Sequence, residues 1–217
     1  MSPLWANKTH LWLRAALSTS EVEGLRAVGG VEGAAGRRLT VDNATSAAIK
    51  PVTQAITPHF RDFKPVRMVS FSKTNDANWQ VPWHQDRVIL VRDRMNVSGF
   101  TNWSNKVGQW HCQPPSDVLE DMLFVRVFLD SCDAQSGGME FAVGSHANGI
   151  VPASEAATNA DRFPTSIETA EAGDILVLPM LTLHRSVPAK APNGRHVLRL
   201  DFARSALPEP MLWSDFK

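Results

Sequence analysis

Residues 174–203 read DILVLPMLTLHRSVPAKAPNGRHVLRLDFA, and this stretch decides the fold. Asp174 to Leu178 and His196 to Ala203 are short runs rich in Val, Ile, Leu and Phe, the signature of strands. Between them Ala191-Pro192-Asn193-Gly194 predicts a hairpin turn, because Asn-Gly supplies the positive φ values of a tight reversal. His184 then stands at the end of one strand and Arg195 opens the returning one. Alternation on the return puts Arg195, Val197, Arg199 and Asp201 on one face and Leu198, Leu200 and Phe202 on the other. Neither face suits water alone, so something must cover the apolar side. N-terminal helices are the expected cover.

The same texture extends outward. Val66 to Lys73, Arg87 to Arg92, Leu123 to Asp130 and Met139 to Val143 are also strand-like, separated by Gly, Pro, Asn and Asp clusters. Many short strands with such punctuation predict a sandwich or jelly roll. Residues 93–122 carry fewer strand signals and are expected to form an insert over the barrel mouth. Residues 147–170 read as a second excursion. Residues 9–28 predict a helix, or two short ones with Ser20 as a cap. Gly29, Gly30, Gly33 and Gly36 mark a loop. A further helix is expected from Thr45 to Ile56, with Pro51 its weak point. The expected architecture is mainly β with N-terminal helices, in one domain over 1–217: a helical part over 1–62 and a jelly-roll, cupin-like core over 63–204.

Composition bounds the function. The chain has 217 residues, 43% hydrophobic and 20% charged, with a formal net charge of zero. Such a balance gives no electrostatic footprint for nucleic acid or an anionic membrane. No apolar run is long enough to span a bilayer, and the N-terminus lacks the pattern of a secretory signal. A cytoplasmic location is therefore the expectation. Two cysteines, Cys112 and Cys132, carry no disulfide framework and are expected to be reduced. There is no tyrosine but there are seven tryptophans, and Trp79, Trp83, Trp103 and Trp110 flank one short segment. They serve either as core packing or as a pocket wall for an apolar or aromatic substrate.

That segment is PWHQDRVIL, with His84-Gln85-Asp86 at its centre. A His and a carboxylate two residues apart on a strand share a face. Taken alone the pair is a weak signal. With His184 from a distant strand it makes two imidazoles and one carboxylate, the facial arrangement of non-haem Fe(II) oxygenases. Gln85 points the other way and is expected to pack outside the centre. Arg195, returning through the hairpin, would bring a guanidinium near the metal, and a guanidinium binds carboxylate through a two-pronged fork. A 2-oxo acid that chelates iron and carries a second carboxylate needs such a partner. Ser186, two residues beyond His184, shares its face and could donate to that carboxylate. Arg199 is the rival anchor; the spacing from His184 favours Arg195.

Taken in order, these pieces resemble the phytanoyl-CoA dioxygenase family of Fe(II)/2-oxoglutarate oxygenases. The matching elements are HQD at 84–86, Ser-Gly-Gly-Met-Glu-Phe-Ala-Val-Gly-Ser-His at 136–146, Gly173-Asp174, and His184-x-Ser186 followed by Arg195. The likeness runs from about residue 66 to 204. It implies a double-stranded β-helix, with His84, Asp86 and His184 as iron ligands and Arg195 and Ser186 as anchors for 2-oxoglutarate. It implies O2 as the other cosubstrate, with release of succinate and CO2. Related halogenases have a small residue at the carboxylate position. Asp86 therefore favours hydroxylation of an unactivated C–H of a small molecule, with desaturation or ring closure as other outcomes.

Further residues carry paired readings. Arg126 interrupts an apolar strand and so must be paired or face a polar cavity. It holds either a carboxylate of 2-oxoglutarate or of an acidic substrate, or a nearby Asp in a buried ion pair. Asn78 is a candidate amide donor to 2-oxoglutarate, and Lys73 and Trp79 could reach the pocket mouth. Trp79, Trp103, Trp110 and His111 are the candidate substrate contacts. Two other functions compete. One is a cupin-like metalloenzyme that does not use 2-oxoglutarate, against which Arg195 and Ser186 speak. The other is a non-catalytic jelly-roll binding module, against which the intact triad speaks.

Overall fold

The strand Arg195–Ala203 is buried along its whole length. Nine residues of alternating character are shielded on both faces because different partners cover each side. The computed structural model that reveals this describes Trp5 and residues 8–30, 36–39, 42–192 and 194–214. In chain order the elements are β1 (Leu11–Leu13), α1 (Thr19–Gly29), β2 (Arg37–Arg38), α2 (Asn43–Ala48), α3 (Lys50–Ile56), β3 (Lys64–Lys73), β4 (Val81–His84) and β5 (Ile89–Val91). There follow β6 (Thr101–Lys106), β7 (Gln109–Gln113), α4 (Ser116–Glu120), β8 (Met122–Phe128), β9 (Met139–Ala142), α5 (Ala156–Ala160), β10 (Thr165–Ile167), β11 (Ile175–Pro179), β12 (His184–Ser186) and β13 (Arg195–Ala203).

The strands make antiparallel sheets. One has six strands in the order β1-β11-β8-β13-β3-β2, one has four in the order β10-β9-β12-β4, and one has three in the order β5-β7-β6. In the six-stranded sheet the outer row is apolar. Leu198, Leu200 and Phe202 of β13 pack with Val22 and Leu25 of α1 and with Val52 and Ile56 of α3. The helices thus dry the face that alternation made greasy. The inner row carries charge. By register Arg199 lies opposite Arg126 of β8 and Val69 of β3, Asp201 opposite Phe124 and Arg67, and Arg195 opposite Lys73. Buried apolar residues of the two larger sheets, Phe124, Phe128, Leu178, Met139 and Phe141 among them, join one core cluster.

Several local expectations are revised. The helix expected over 9–28 is a strand followed by a helix. Leu11–Leu13 pair with β11, and α1 starts after Ser18, not Ser20. Ser18 caps it reciprocally: its side chain accepts from the Glu21 N–H, and the Glu21 carboxylate accepts from the Ser18 N–H. The helix expected from Thr45 to Ile56 divides at Ile49, and Pro51 falls in the first turn of the second piece, where its missing N–H costs nothing. The insert over 93–122 contains a hairpin, β6–β7, and the short helix α4. The excursion over 147–170 contains α5 and β10, and β10 extends the four-stranded sheet. In the turn before β13, Gly194 has φ +79; Asn193 lies outside the described residues.

Gly173-Asp174 fastens the N-terminal part to the sheet. Gly173 has φ +92, and a Cβ there would stand 2.6 Å from the Leu17 carbonyl oxygen. Asp174 accepts from the Ala15 N–H at 2.8 Å and from Arg14 at 2.7 Å. Cys112 and Cys132 are buried and free. Among the described residues no helix is long and apolar enough to cross a membrane.

Candidate metal centre and its cavity

The two histidines meet through strand pairing. His84 ends β4, His184 opens β12, and they are register partners, with ring centroids 4.3 Å apart. Asp86 is not on the strand as alternation suggested, because β4 stops at His84. The cause is Gln85. Its amide donates to the carbonyls of Gly149 and Leu181, each at 2.7 Å, and accepts from the Val151 N–H at 2.8 Å. Those loop partners take the chain out of the ladder just where the triplet begins. The carboxylate still reaches the histidines: Asp86 Oδ2 is 3.2 Å from His184 Nε2. One ligand atom from each of the three residues fits within 4.8 Å of the others.

Each imidazole is oriented from behind. His84 Nδ1 is 2.8 Å from the Pro82 carbonyl oxygen, and His184 Nδ1 is 2.9 Å from that of Thr182. A carbonyl only accepts, so each Nδ1 holds its hydrogen, which leaves Nε2 as the ring atom that would ligate a cation. Burial, then the neighbouring His184, pulls His84 down to about 4, so it is neutral near pH 7. Burial pushes the Asp86 carboxyl up, but Arg199, His184 and Arg67 outweigh it and hold the group well below its ordinary value. Neutral imidazole and ionised carboxylate are the states that ligate a cation. The N,N,O donor set with no sulfur fits an Fe(II)-type ion.

A chain of alternating charge backs the carboxylate. Arg199 Nη1 donates to Asp86, while its Nε and Nη2 donate to the two oxygens of Asp201 at 2.7 and 3.1 Å. Arg67 reaches Asp201 at 3.4 Å and the Val88 carbonyl at 3.1 Å. Arg199 is thereby engaged by two carboxylates. It positions Asp86 from the opposite sheet.

A cavity of about 210 Å³ adjoins the triad. His84, Asp86 and His184 line it, together with Ser186, Arg195, Arg126, Arg199, Arg67, Arg38, Phe71 and Trp79. The candidate anchors are thus brought together with the candidate ligands. Arg195 is held by a turn: its Nε donates to the Ser136 carbonyl at 3.2 Å and its Nη2 to that of Gly137 at 3.1 Å. Gly137 has φ +74, and a Cβ there would come within 2.9 Å of the Ala189 nitrogen and 3.0 Å of Lys73 Nζ. The Ser-Gly-Gly motif therefore shapes the seat of Arg195. The Ser145 hydroxyl, later in that motif, donates to the Ala142 carbonyl and accepts from the Leu183 N–H, both at 2.8 Å, which fixes the approach to His184.

Other sequence candidates divide. Arg126 is buried and paired, but with Glu168 rather than an Asp, and its guanidinium also borders the cavity. Lys73 is fully buried and donates to the Val187 carbonyl. Burial, then Arg195 and Arg126, lowers it to about 8. Asn78 does not border the cavity. Both ends of its amide are engaged by Ala189, at 2.9 Å to the carbonyl and 2.7 Å from the N–H. Trp79 borders the cavity, whereas Trp103 and Trp110 pack against the core from the three-stranded sheet. His111 is buried on that sheet and points Nδ1 at the Gln109 carbonyl at 3.0 Å; burial pulls it down to about 4. Sequence reasoning missed Glu168, Arg67 and Arg38. An Arg at 67 within an apolar strand was the available signal for the second.

Two imidazoles on paired antiparallel strands and a carboxylate from the loop after β4, opening on an arginine-lined cavity, define a candidate mononuclear metal site. The sequence model of the phytanoyl-CoA dioxygenase (PhyH) family matches residues 15–197, and the chain belongs to that family. No curated protein matches the chain. Solved structures share its fold. The non-heme alpha ketoglutarate dependent carbocyclase SnoK from nogalamycin biosynthesis aligns with a TM-score of 0.62 at 13% identity, over 94% of this chain and 82% of its own. AviO1 from Streptomyces viridochromogenes Tue57 aligns at 0.61 with 16% identity, over 93% and 92%. HygX from Streptomyces hygroscopicus, with nickel, 2-oxoglutarate and hygromycin B bound, aligns at 0.58 with 16% identity, over 91% and 84%.

Proposed function

We propose that this chain is an Fe(II)/2-oxoglutarate-dependent dioxygenase that hydroxylates an unactivated C–H of a small molecule. The six- and four-stranded sheets are then the two halves of a double-stranded β-helix. The observation that carries the reading is that His84, Asp86 and His184 offer three donors on the wall of a cavity that Arg195 and Ser186 also line. Family membership supports it, as does the 2-oxoglutarate bound in HygX, a protein of the same fold.

Bound iron and 2-oxoglutarate would supply the oxidising chemistry: the cosubstrate and O2 yield succinate, CO2 and one oxygen atom for the substrate. The protein's part is orientation. His84 and His184 present Nε2, and Asp86 presents a carboxylate steered by Arg199. Arg195, fixed by the Ser136–Gly137 turn, takes the distal carboxylate of 2-oxoglutarate, with the Ser186 hydroxyl donating beside it. Arg126, partly neutralised by Glu168, is the weaker candidate for a second carboxylate contact. The aromatic side chains of Phe71 and Trp79 exclude water from one wall.

Adding Fe(II) and 2-oxoglutarate without oxygen is expected to give the weak visible charge-transfer band of the chelate, and air is expected to give succinate. Absence of both overturns the reading. SnoK is described as a carbocyclase, so ring closure is the alternative outcome. Mass spectrometry of the product separates them: hydroxylation adds an oxygen atom, whereas ring closure by oxidation removes two hydrogens.

A further inference from the structure

We propose that the substrate of this cavity carries an anionic group, a carboxylate or a phosphate, that docks on Arg38 with Arg67 behind it. The inference rests on the oxygenase reading and names the substrate class of the same site.

Arg38 sits on the edge strand β2, where it is the register partner of Val69. Val69 lines the cavity, and so do its same-face neighbours on β3, Arg67 and Phe71. Arg38 and Arg67 are thus diagonal neighbours across two paired strands, within reach for long side chains. Arg38 is exposed and borders the cavity, which places it at the mouth. Arg67 lies deeper, and its buried Nε has no hydrogen-bond partner.

Charge makes the argument specific. Behind the mouth, Arg67 and Arg199 face Asp86 and Asp201, two cations against two anions. Arg38 comes on top of that balance. Among the described residues no ion pair engages it. It is also close enough to Arg67 to disfavour the Arg67 cation, after burial, the largest cause, and Arg199, and against the support of Asp201 and Asp86. An anion at the mouth, between the exposed Arg38 and the Arg67 guanidinium behind it, relieves that repulsion. A lone rim arginine is worth little, but in a concave site where five arginines and one carboxylate, Asp86, line the wall the excess charge focuses its field on an incoming ligand. Next to the pair stand Phe71 and Trp79, with ring centroids 6.4 Å apart, which suit an apolar or aromatic body. The acid group would anchor at the mouth and the body would extend along the aromatic wall toward the histidines.

The test is calorimetric titration, without oxygen and with Fe(II) and saturating 2-oxoglutarate present so that the cosubstrate anchor is filled. The probes are phenylacetate, phenyl phosphate and the neutral 2-phenylacetamide. At least one anion is expected to bind about tenfold tighter than the amide, the scale of one charge-assisted contact, and the two anions tell carboxylate from phosphate. Arg38→Gln is expected to abolish that preference and Arg38→Lys to restore part of it. Equal binding of amide and anions overturns the proposal. So does a full preference in Arg38→Gln, absence of binding by any anion at millimolar concentration, or an Arg38→Gln defect confined to 2-oxoglutarate affinity. The chelate band of the wild-type protein is recorded in parallel. A band without anion preference overturns this inference alone. Anion preference without a band, and with no succinate formed in air, overturns the oxygenase reading and leaves the anion site standing.

Discussion

Arg195 and Arg199 lie on one face of one strand, yet their surroundings give them different work. Arg199, itself buried, holds two carboxylates, the buried Asp201 and the cavity-lining Asp86. Arg195 rests on the carbonyls of a turn. Arg195→Ala is expected to weaken 2-oxoglutarate binding at least tenfold, by chelate-band titration, while Mn(II) binding persists. Arg199→Met leaves Asp201 with Arg67 alone and Asp86 without its guanidinium, and is expected to cost about 3 kcal/mol of stability, with weaker Mn(II) binding because Asp86 loses its steering. Denaturant midpoints and Mn(II) titration read both effects, and the reverse pattern would exchange the two roles. The polar row of β13 was legible from alternation, and the spacing from His184 singled out Arg195. The partners of the row were not legible. Glu168, which pairs with Arg126, comes from a segment with no pairing signal of its own, and only the fold brings it 42 residues back to β8. Asp86 shows the converse. Its place among the donors was readable, but the reason given, strand alternation, was replaced by the loop that Gln85 ties down.

At the level of elements, the β strands of the core were visible because short branched and aromatic runs are bounded by turn residues. The N-terminal strand β1 was not. His10 to Leu17 has the apolar density of a helix, and its pairing with β11 lies more than 160 residues away in sequence. Positive φ at Ala15 ends the strand, and Asp174 fastens the bend. No local pattern encodes a contact so distant. Helix α1, by contrast, carries its own start signal. Ser18→Ala removes the hydroxyl half of a capping box and is expected to lower stability by about 1 kcal/mol, measured as an earlier thermal unfolding midpoint. Because α1 covers the outer face of β13 with Val22 and Leu25, its fraying would also unseat the strand that bears both arginines. A loss of stability with no effect on 2-oxoglutarate affinity would show that the outer layer and the site are independent.

For the molecule as a whole, the candidate metal centre draws its donors from the four-stranded sheet and the loop after β4, and its steering arginine from the six-stranded sheet. An ion bound there would tie the two sheets through Asp86. Binding to the native state alone stabilises by mass action, roughly 2.7 kcal/mol at a hundredfold excess over Kd. Mn(II) is therefore expected to raise the unfolding midpoint and a chelator to lower it again. An unchanged midpoint would argue against a site that spans both sheets.

The doubled duty of Asp86 also limits how this centre could evolve. A small residue at 86 would open a position on the ion. In the same stroke it would leave Arg67 and Arg199 sharing the single carboxylate of Asp201. The emptied corner would be positively charged and open to a monovalent anion such as a halide. Loss of a candidate donor and gain of an anion seat would thus be one substitution here, because a single side chain faces both the histidines and the arginine behind it.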